Sequence, residues 1–453
     1  MQMLLSDIAR FVQGELSGTD ESISSVSIDT RTLQPGQLYV AIKGNNYDGN
    51  NFVNLAEQAG AKAAIVHKGI RPSIPYISVA DTRLALAELA GNWRLACSAK
   101  IAGITGSNGK TTVKEMLAAI LNVAGNVLYT QGNLNNEIGV PLTLLRLNDK
   151  HQYAVIEMGA NHPGEIAFTS QYVQSDVVIL NNAGPAHLQG FGSVDGVAKA
   201  KSEIISTLKS SGIAILNKED KYFSYWQHIA GNRKTVSFGF DNSADICAKN
   251  IDFKLLNHRF VTTFTLLSKE DSINIQLSLA GKHNILNALA ASAAALALGL
   301  NLNQIAIGLE SVQPVSGRLQ LLEGHLGCLV IDDTYNGNSA SLSVGLKILQ
   351  EIPKEQWLVL GAFGELGPES ETIHKKMGIE IKASGVKKLF ALGDDCQHTV
   401  STFGEGAKYF SSQEELIKTI QQELTGSEAL LIKGSRARHM ENVVAALTDN
   451  FRK

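Results

Sequence analysis

Cysteine, tryptophan and proline are all scarce in this sequence of 453 residues, which contains 4, 3 and 9 of them respectively. The cysteines lie far apart, and they form neither a C-x-x-C pair nor a spacing suited to zinc. A disulfide framework and a cysteine-ligated metal site are therefore excluded, and we expect reduced thiols in the cytoplasm. The four positions are Cys97, Cys247, Cys328 and Cys396.

Long apolar runs are also missing. The most apolar stretch, residues 288–300, contains Ser292 and is too short to span a bilayer. The N-terminal stretch carries Asp7 and Arg10, which the apolar core of a signal peptide would not contain. We therefore expect a cytoplasmic protein that is not inserted into a membrane, and we expect it to be a monomer.

The chain has no large excess of charge of either sign. Its formal net charge is −3 at pH 7, and its pI is about 6.4. A global basic field that would attract nucleic acid or anionic lipid is therefore excluded. Any anion that this protein binds must be held by local groups.

The length predicts about three domains. Residues 1–82 combine short alternating segments with glycine-rich turns, which indicates a small mixed α/β domain. From there, apolar segments alternate with helical patterns and predict buried parallel strands at residues 100–105, 153–158, 176–181 and 212–217. Residues 253–279 alternate apolar and polar side chains, which predicts an antiparallel excursion, and a long helix near His283 should close this central domain at residue 313.

A third domain is predicted at residues 314–453. Pro314 and Gly317 mark a hinge, because proline and glycine punctuate the end of a helical pattern. Strands are expected at residues 328–331, 357–360, 388–392 and 429–432, separated by helical stretches, as in a Rossmann-like doubly wound sheet. The predicted fold class is therefore α/β, with a central P-loop domain of mostly parallel sheet between two further α/β domains.

The strongest local motif is a glycine-rich loop between the first predicted central strand and a helical pattern. Glycines allow backbone N–H groups to surround phosphate oxygens, the helix presents its positive N-terminus, and a lysine and a threonine supply a charge and a magnesium-binding hydroxyl. Ile104 stands where the first glycine of a P-loop is usual. The loop predicts an ATP-phosphate site and consists of Thr105, Gly106, Ser107, Asn108, Gly109, Lys110, Thr111 and Thr112.

Two further residues are candidate metal ligands, although each is weak alone. Glu157 ends a predicted strand, where P-loop proteins place a carboxylate that holds magnesium. A strand-end glutamate is more often a solvated charge at the rim of a site. His187 follows the next strand, and an isolated loop histidine is more often structural.

A GTPase is the rival interpretation of these motifs. Asn217-Lys218-Glu219-Asp220 has the N-K-x-D form with which GTPases read guanine. However, no D-x-x-G sequence occurs between Thr112 and Leu216, and the P-loop lacks its first glycine. A nucleotide-gated switch is therefore disfavoured.

Taken together, segments along the whole chain resemble the Mur ligases. The P-loop form T-G-S-N-G-K-T is the variant that those enzymes carry, and further segments agree in the same order. They are Glu157-Met158-Gly159-Ala160, residues 181–187, Lys199-Ala200-Lys201-Ser202-Glu203-Ile204, residues 281–288, Gly317-Arg318 and Asp332-Asp333-Thr334-Tyr335-Asn336.

Within that family the resemblance is closest to the branch that adds D-alanyl-D-alanine to UDP-N-acetylmuramoyl-tripeptide. It rests on Asp29-Thr30-Arg31-Thr32, on residues 132–141 and on Lys433-Gly434-Ser435-Arg436, and on the absence of a D-N-P-R motif. The resemblance implies an ATP-dependent amide ligase whose partners are these two substrates. The alternatives are another Mur ligase or a folylpolyglutamate synthase-like enzyme, which would lack the N-terminal domain.

The resemblance also implies roles for individual residues. The catalytic set would be Lys110, Lys201, His187 and Arg318. ATP would be contacted by the P-loop together with Asn284, Arg318 and Asp333. Magnesium would lie near Thr111, Glu157, His187 and Lys201, and Lys201 would carry a carbamate, whereas a helix lysine is ordinarily solvated. The substrate would be held by Thr30, Arg31, Lys43, Gly44, Asn133, Asn135 and Asn136.

Two segments depart from the pattern of the family. Lys218-Glu219 replaces an expected Ala-Asp in the segment that follows the fourth central strand, and Ala362 replaces an acidic residue in Gly361-Ala362-Phe363-Gly364-Glu365-Leu366-Gly367. Any shared role of that second loop is therefore in doubt.

Overall fold

The computed structural model describes residues 1–44, 46–256, 259–269, 271–364 and 366–448, and it contains three large β-sheets that follow one another along the chain. Glu365, which belongs to the segment 361–367 that differs from the family pattern, lies outside the described residues. Within the described ranges, no helix is both long enough and apolar enough to cross a bilayer.

The N-terminal unit has a five-stranded sheet in the order β2-β7-β6-β5-β4. Its strands are parallel except β2, which pairs antiparallel with β7. A separate antiparallel pair joins β1 to β3. The strands are β1 (Met3–Leu4), β2 (Glu15–Ser17), β3 (Ser22–Ile23), β4 (Val26–Ser27), β5 (Leu38–Val40), β6 (Ala63–His67) and β7 (Tyr76–Val79), and the helices are α1 (Leu5–Phe11), α2 (Val53–Gln58) and α3 (Thr82–Ala96).

The central unit has a nine-stranded sheet in the order β16-β15-β14-β13-β12-β11-β8-β10-β9. Its strands are β8 (Lys100–Thr105), β9 (Val127–Tyr129), β10 (Tyr153–Glu157), β11 (Val177–Leu180), β12 (Ile213–Asn217), β13 (Lys234–Gly239), β14 (Ile246–Leu256), β15 (Arg259–Leu267) and β16 (Ser272–Leu277). Its helices are α4 (Lys110–Asn122), α5 (Gly139–Leu144), α6 (Glu165–Val173), α7 (Leu188–Phe191), α8 (Val194–Ser206), α9 (Phe223–Ala230), α10 (Lys282–Ala297) and α11 (Leu302–Glu310).

The predicted parallel strands and the antiparallel excursion of the central sheet are confirmed. Strands β8 to β14 pair in parallel, and β14, β15 and β16 pair antiparallel. The excursion begins earlier than the alternating pattern indicated: the first two residues of β14, Ile246 and Cys247, pair in parallel with β13, and the antiparallel pairing with β15 already starts at Cys247. The helix expected near His283 is α10, but α11 follows it and packs on α4, so α10 does not close the unit alone.

The C-terminal unit has a six-stranded sheet in the order β17-β18-β22-β19-β20-β21, parallel except for its edge strand β17. This arrangement is the doubly wound sheet that the sequence predicted. The strands are β17 (Gln320–Glu323), β18 (Leu329–Asp333), β19 (Glu355–Gly361), β20 (Lys388–Leu392), β21 (Ala407–Phe410) and β22 (Glu428–Lys433). The helices are α12 (Ser339–Gln350), α13 (Ser370–Ala383), α14 (Cys396–Phe403), α15 (Gln413–Glu423) and α16 (Glu441–Leu447).

Helix α3 joins the first unit to the second. Its first residue, Thr82, donates its hydroxyl to the carbonyl of Ala41 at 2.8 Å. Near its other end, Arg94 is buried and donates to the carbonyl of Val173 at 3.2 Å, and it pairs with Asp176 at 3.6 Å. Apolar residues of α1, α3 and α6 belong to one continuous core. Two sheets therefore share this helix as a common support.

The functional residues of the central unit meet where parallel strands end. Glu157 at the end of β10 is in register with Ile104 on β8, and Leu180 at the end of β11 is in register with Thr105. Ligands of open α/β sheets bind outside the carboxyl ends of the strands. The P-loop, Glu157 and the segment after β11 therefore open onto the same cleft.

Candidate active site

The P-loop is held in shape by asparagines that follow β11. The backbone N–H groups of Ser107 and Asn108 donate to the carbonyl and the side-chain oxygen of Asn182 at 3.0 and 2.8 Å. Gly109 has φ +80°, and a Cβ there would lie 2.5 Å from Asn287 Oδ1, so only glycine fits. Helix α4 begins at the next residue, Lys110, and its N-terminus faces the cleft.

Glu157 lies at the centre of a small hydrogen-bonded group on the wall of the cleft. Its side chain is 2% exposed, so the interpretation as a solvated rim charge is wrong. Its two carboxylate oxygens accept hydrogen bonds from Thr111 Oγ1 at 3.1 Å and from Asn135 Nδ2 at 2.8 Å. Both donors are neutral, so these two bonds leave the charge of the carboxylate uncompensated.

Two lysines lie close enough for the charge of one to act on the other: Lys110 lines the cleft, whereas Lys201 lies behind its lining. Lys110 donates to the carbonyl of Gly106 at 2.7 Å, and burial lowers the pKa of its ammonium. Lys201 on α8 is 1% exposed, so a solvated helix lysine is not what the structure shows. Burial, reinforced by the charge of Lys110, lowers the pKa of Lys201 well below its usual value. The lowered pKa therefore favours the neutral, uncharged form of the Lys201 amine.

His187 lines the cleft immediately before the short helix α7. Its backbone is left-handed, with φ 52° and ψ 38°, a conformation that is uncommon outside glycine and that is concentrated at functional sites. Six other non-glycine residues among those described also have a positive φ, so this conformation alone assigns no role to His187, and its role stays a prediction.

The C-terminal unit reaches into the same cleft through Arg318. Its Nη2 donates to Thr111 Oγ1 at 2.9 Å, and its guanidinium lies 4.3 Å from the ring centroid of Tyr335. Its Nε is buried and makes no hydrogen bond within the part of the chain that the structure describes. A buried donor of this kind costs free energy unless an acceptor binds to it.

The resulting cleft has a volume of about 1050 Å³ and lies between the central and C-terminal units. Asp333, at the end of β18, lines it and forms an ion pair with the buried Lys433 at 2.5 Å. The walls combine the P-loop, the loop after β9 and the first residues after β18 and β22. Side chains from these walls include Asn108, Lys110, Thr111, Asn133, Asn135, Asn136, Glu157, His187, Arg318, Tyr335, Asn338 and Arg436.

A second cavity of about 270 Å³ adjoins the P-loop and contains Asn284. The Nδ2 of Asn284 donates to the carbonyl of Ala280 at 2.7 Å, and its Oδ1 accepts from Asn287 at 3.2 Å. Its side chain therefore shapes this cavity through bonds within its own helix. Thr105 and Gly106 are buried beneath the loop, and Thr105 donates to the carbonyl of Met158 at 2.8 Å.

The predicted substrate residues fall into two groups. Asn133, Asn135 and Asn136 line the large cleft, whereas the group from the N-terminal unit does not: Thr30, Arg31, Lys43 and Gly44. Arg31 is largely exposed and pairs with Asp29 at 2.6 Å, which holds the pKa of that carboxyl at about 2. The roles of this second group stay predictions.

The N-K-x-D segment has a structural use here. Asn217 Nδ2 donates to the carbonyl of Asn181 at 2.8 Å, and Asp220 accepts from the backbone of Ala183 at 2.8 Å. Glu219 accepts from the backbone N–H of Phe240 at 2.8 Å. These contacts join the loop after β11 to the ends of β12 and β13, and they leave the GTPase interpretation without support.

Ala362, which stands where the family has an acidic residue, is part of the packed interior of the C-terminal unit. Its side chain is 1% exposed, and its carbonyl accepts from the hydroxyl of Ser435 at 2.7 Å. An acidic side chain at this position would be buried in the C-terminal core next to Gly393.

Sequence reasoning missed several residues of the cleft. Asn338 and Tyr335 lie in the segment after β18, and Lys433 and Arg436 lie at the end of β22 and just after it. Tyr335, Lys433 and Arg436 lie in segments that carried the family resemblance, but no role was assigned to their side chains, and Asn338 lies outside those segments. Their position directly after buried parallel strands was the signal that could have identified them.

Family models match most of the chain. The model of the Mur ligase middle domain matches residues 104–295, and that of the Mur ligase glutamate ligase domain matches residues 317–436. The model described as the Mur ligase family catalytic domain matches residues 22–94.

Individual relatives are similar over their full length. A protein of Escherichia coli (strain K12), named UDP-N-acetylmuramoyl-tripeptide–D-alanyl-D-alanine ligase, is 42% identical, with 99% of each chain covered. A crystal structure of MurF from Acinetobacter baumannii has a TM-score of 0.92 at 37% identity, with 98% of each chain covered. The MurF ligase from Thermotoga maritima, solved in complex with ADP, has a TM-score of 0.83 at 27% identity and covers 93% of this chain and 96% of its own.

The matched segments contain the P-loop, Glu157, Lys201 and Arg318, and they run through all three sheets. Sequence, fold and site geometry agree, and this chain belongs to the Mur ligase family.

Proposed function

We propose that this protein is an ATP-dependent ligase that joins D-alanyl-D-alanine to UDP-N-acetylmuramoyl-tripeptide in peptidoglycan synthesis. The observation that carries the proposal is the convergence of Lys110, Glu157 and Arg318, from two domains, on one cleft large enough for a nucleotide and a peptide end. Relatives that bear this activity in their names share the full length of the chain.

The reaction would begin when the terminal carboxylate of the tripeptide attacks the γ-phosphate of ATP. ADP leaves, and the product is an acyl phosphate. The amine of D-alanyl-D-alanine then attacks the acyl carbon, phosphate leaves, the amine gives up a proton, and an amide remains. Phosphoryl transfer needs positioning and charge neutralisation more than covalent help from the protein.

Groups of this chain can supply that neutralisation. Lys110 and the N-terminus of α4 would bind the phosphate oxygens at the P-loop. Arg318 would act from the other side of the cleft, where its buried Nε lacks an acceptor among the described residues. A phosphate oxygen would satisfy that donor, and the fit supports a nucleotide at this position.

Closure of the C-terminal domain would protect the intermediate. An acyl phosphate is destroyed by water, so the reaction needs a site that excludes solvent. Arg318 bridges the cleft by donating to Thr111. The predicted hinge at Gly317, which has φ +75°, directly precedes Arg318. Rotation near this glycine would move Arg318 onto or away from the phosphates.

The donor set around Glu157 fits magnesium. Mg²⁺ prefers hard oxygen ligands and is usually bound by one or two carboxylates together with substrate phosphates. Thr111 and Glu157 provide a hydroxyl and a buried carboxylate 3.1 Å apart, and His187 lines the same wall. Among the described residues no group of three or more histidine, cysteine, aspartate or glutamate side chains could hold a metal alone. Magnesium bound here would therefore share its ligands with ATP, where it would neutralise phosphate charge.

Lys201 is proposed to carry a carbamate. Its lowered pKa favours the neutral amine, which would attack carbon dioxide, form an N–C bond and release a proton. The resulting anion would be attracted to the nearby charge of Lys110 and would be compensated by magnesium. Burial of this lysine on α8 supports the proposal.

Each of the three domains is proposed to bind a different part of the reactants. Residues 1–82 would hold the UDP part of the substrate through Thr30, Arg31, Lys43 and Gly44, residues 83–313 would hold ATP, and residues 314–453 would close on the nucleotide. The loop with Asn133, Asn135 and Asn136, which lines the same cleft as the P-loop, would receive the peptide end.

The test is release of ADP by the purified protein. With UDP-N-acetylmuramoyl-tripeptide and D-alanyl-D-alanine both present, ADP and the pentapeptide product should accumulate together. Replacing D-alanyl-D-alanine by a single amino acid should abolish product formation. The variant Lys110→Ala should lose turnover and keep the fold, because it removes transition-state charge rather than core packing. If the wild-type protein couples a different amine, the proposed substrate is wrong.

A further inference from the structure

Asn338 makes a contact between the C-terminal unit and the P-loop that the reaction scheme above does not use. Its Nδ2 donates to Asn108 Oδ1 at 3.1 Å, across 230 residues of sequence. The contact lies three residues before Thr111, to which Arg318 donates. Two separate residues of the P-loop, Asn108 and Thr111, are therefore each contacted by the C-terminal unit.

Asn338 is fixed on its own side of the domain boundary. It is the N-cap of α12, where its Oδ1 accepts from the backbone of Ser341 at 2.8 Å and its own N–H donates to Ser341 Oγ at 3.1 Å. The preceding Gly337 packs so closely on Phe363 that a Cβ would lie 2.3 Å from the ring. One residue earlier, the carbonyl of Asn336 accepts from the buried Lys433 at 3.2 Å.

Asn108 is fixed on the other side. Its backbone N–H donates to Asn182 at 2.8 Å, and its carbonyl accepts from the amide groups of Asn181 and Asn182 at 3.0 Å each. Only its side chain extends toward the C-terminal unit. The bond between Asn338 and Asn108 therefore joins two side chains that are each held in place within their own unit. It can form only in one relative position of the C-terminal unit and the P-loop.

We propose that Asn338 is a positioning residue of the ligase reaction: by donating to Asn108 it sets the closed orientation in which Arg318 reaches Thr111. One contact between two bodies leaves them able to swivel, whereas two separate contacts on the same loop restrict rotation. The inference rests on the proposed function, because the closed orientation matters only if Arg318 acts on a nucleotide at the P-loop.

The capping role of Asn338 can be separated from its contact with Asn108. Serine and aspartate cap helices about as well as asparagine, but neither can donate an amide hydrogen to Asn108. Asn338→Ser should therefore keep the stability of the protein. Asn301 is a matched control, because it caps α11 in the same way, with its Oδ1 accepting from Gln304 at 3.0 Å.

The experiment compares Asn338→Ser, Asn338→Asp and Asn301→Ser in the pentapeptide-forming assay. Loss of the contact should lower kcat by about tenfold or more in both Asn338 variants, since small misplacements of catalytic groups are costly. KM for the UDP substrate and the melting temperature should stay close to wild type, and Asn301→Ser should behave as wild type throughout. A double variant with Asn108→Ala should lose no more activity than the worse single variant, because both remove the same bond.

Two results would overturn the inference. One is a kcat of wild-type size in Asn338→Ser, and the other is additive loss in the double variant. Small-angle scattering provides a readout that does not depend on turnover: with ADP and Mg²⁺ bound, Asn338→Ser should be more extended than wild type. An equal radius of gyration would also count against the inference. A wild-type protein that forms no pentapeptide would refute the proposed function, and scattering would still decide on the contact.

Discussion

Arg318 and Thr111, 207 residues apart, are joined by a hydrogen bond of 2.9 Å. The same threonine hydroxyl lies 3.1 Å from Glu157. One small side chain thus connects the cation of the C-terminal domain with the buried carboxylate of the central domain. A phosphate or a metal ion bound here would compete with Arg318 and Glu157 for this hydroxyl, and that competition would couple closure to phosphate binding.

Arg318→Lys should reduce kcat by about a hundredfold or more, a loss typical of removing one group that stabilises transition-state charge. Lysine keeps the charge, but it cannot donate to Thr111 and to a phosphate through separate fixed nitrogens. KM for the UDP substrate should change little. Arg233→Lys serves as the control, because Arg233 donates to the carbonyl of Leu208 at 2.9 Å, outside the cleft. Equal kinetics of Arg318→Lys and wild type would refute the role.

Lys201→Ala should lose activity by orders of magnitude if the lysine carries a carbamate near the metal. Acetate or another short carboxylic acid should restore part of the rate by replacing the missing anion. Lys199→Ala is a matched control on the same helix, since Lys199 is exposed. A Lys201→Ala enzyme as active as wild type would rule out the carbamate, and loss without rescue by any carboxylic acid would count against it.

Arg31→Ala should raise KM for the UDP substrate and leave KM for ATP unchanged, because an anionic diphosphate needs a local cation. Arg10→Ala is a close control: Arg10 lies in the same domain and pairs with Asp7 at 2.8 Å in an equally exposed setting. Point variants are a sharper test than deletion of residues 1–82, which would expose the apolar face of α3. Unchanged substrate affinity in Arg31→Ala would contradict the assignment.

His283 predicts how stability depends on pH. Burial lowers the pKa of its imidazole from 6.5 to about 4, although the charge of Asp333 opposes the shift. The unfolded chain therefore takes up a proton first as the pH falls. Stability should decrease between pH 6.5 and about 4, and the contribution of this group should level off on either side. Urea unfolding across this range should show a shallower decrease for His283→Gln, and parallel curves would refute the prediction.

The sequence predicted an element correctly where a local residue pattern alone determines that element. Strand β8 has the predicted bounds because a short apolar run must be buried on both faces of a parallel sheet. The P-loop followed from glycines and a lysine at fixed spacing. Strand β14 was placed too late, because its first residues are paired in parallel and its pattern alternates only beyond them.

Burial of charged side chains could not be predicted from the pattern. Glu157 and Lys201 are among the most buried charged groups, yet a strand-end glutamate and a helix lysine are usually solvated. Their burial results from the packing of distant elements, as do the contacts of Arg318 and Asn338 with the P-loop. Only the family resemblance directed attention to Lys201, and Asn338 received no role from the sequence.

Helix α3 is bonded at Thr82 to the carbonyl that follows β5 and at Arg94 to the end of α6 and to Asp176, so it links the first two units at both of its ends. We expect this helix to maintain the spacing between the N-terminal sheet and the P-loop. A substrate bound by its uridine end at the first unit and by its carboxylate at the P-loop would have to span that spacing. A peptide one residue too short would then not reach the phosphate, so we expect the spacing to select substrates by length.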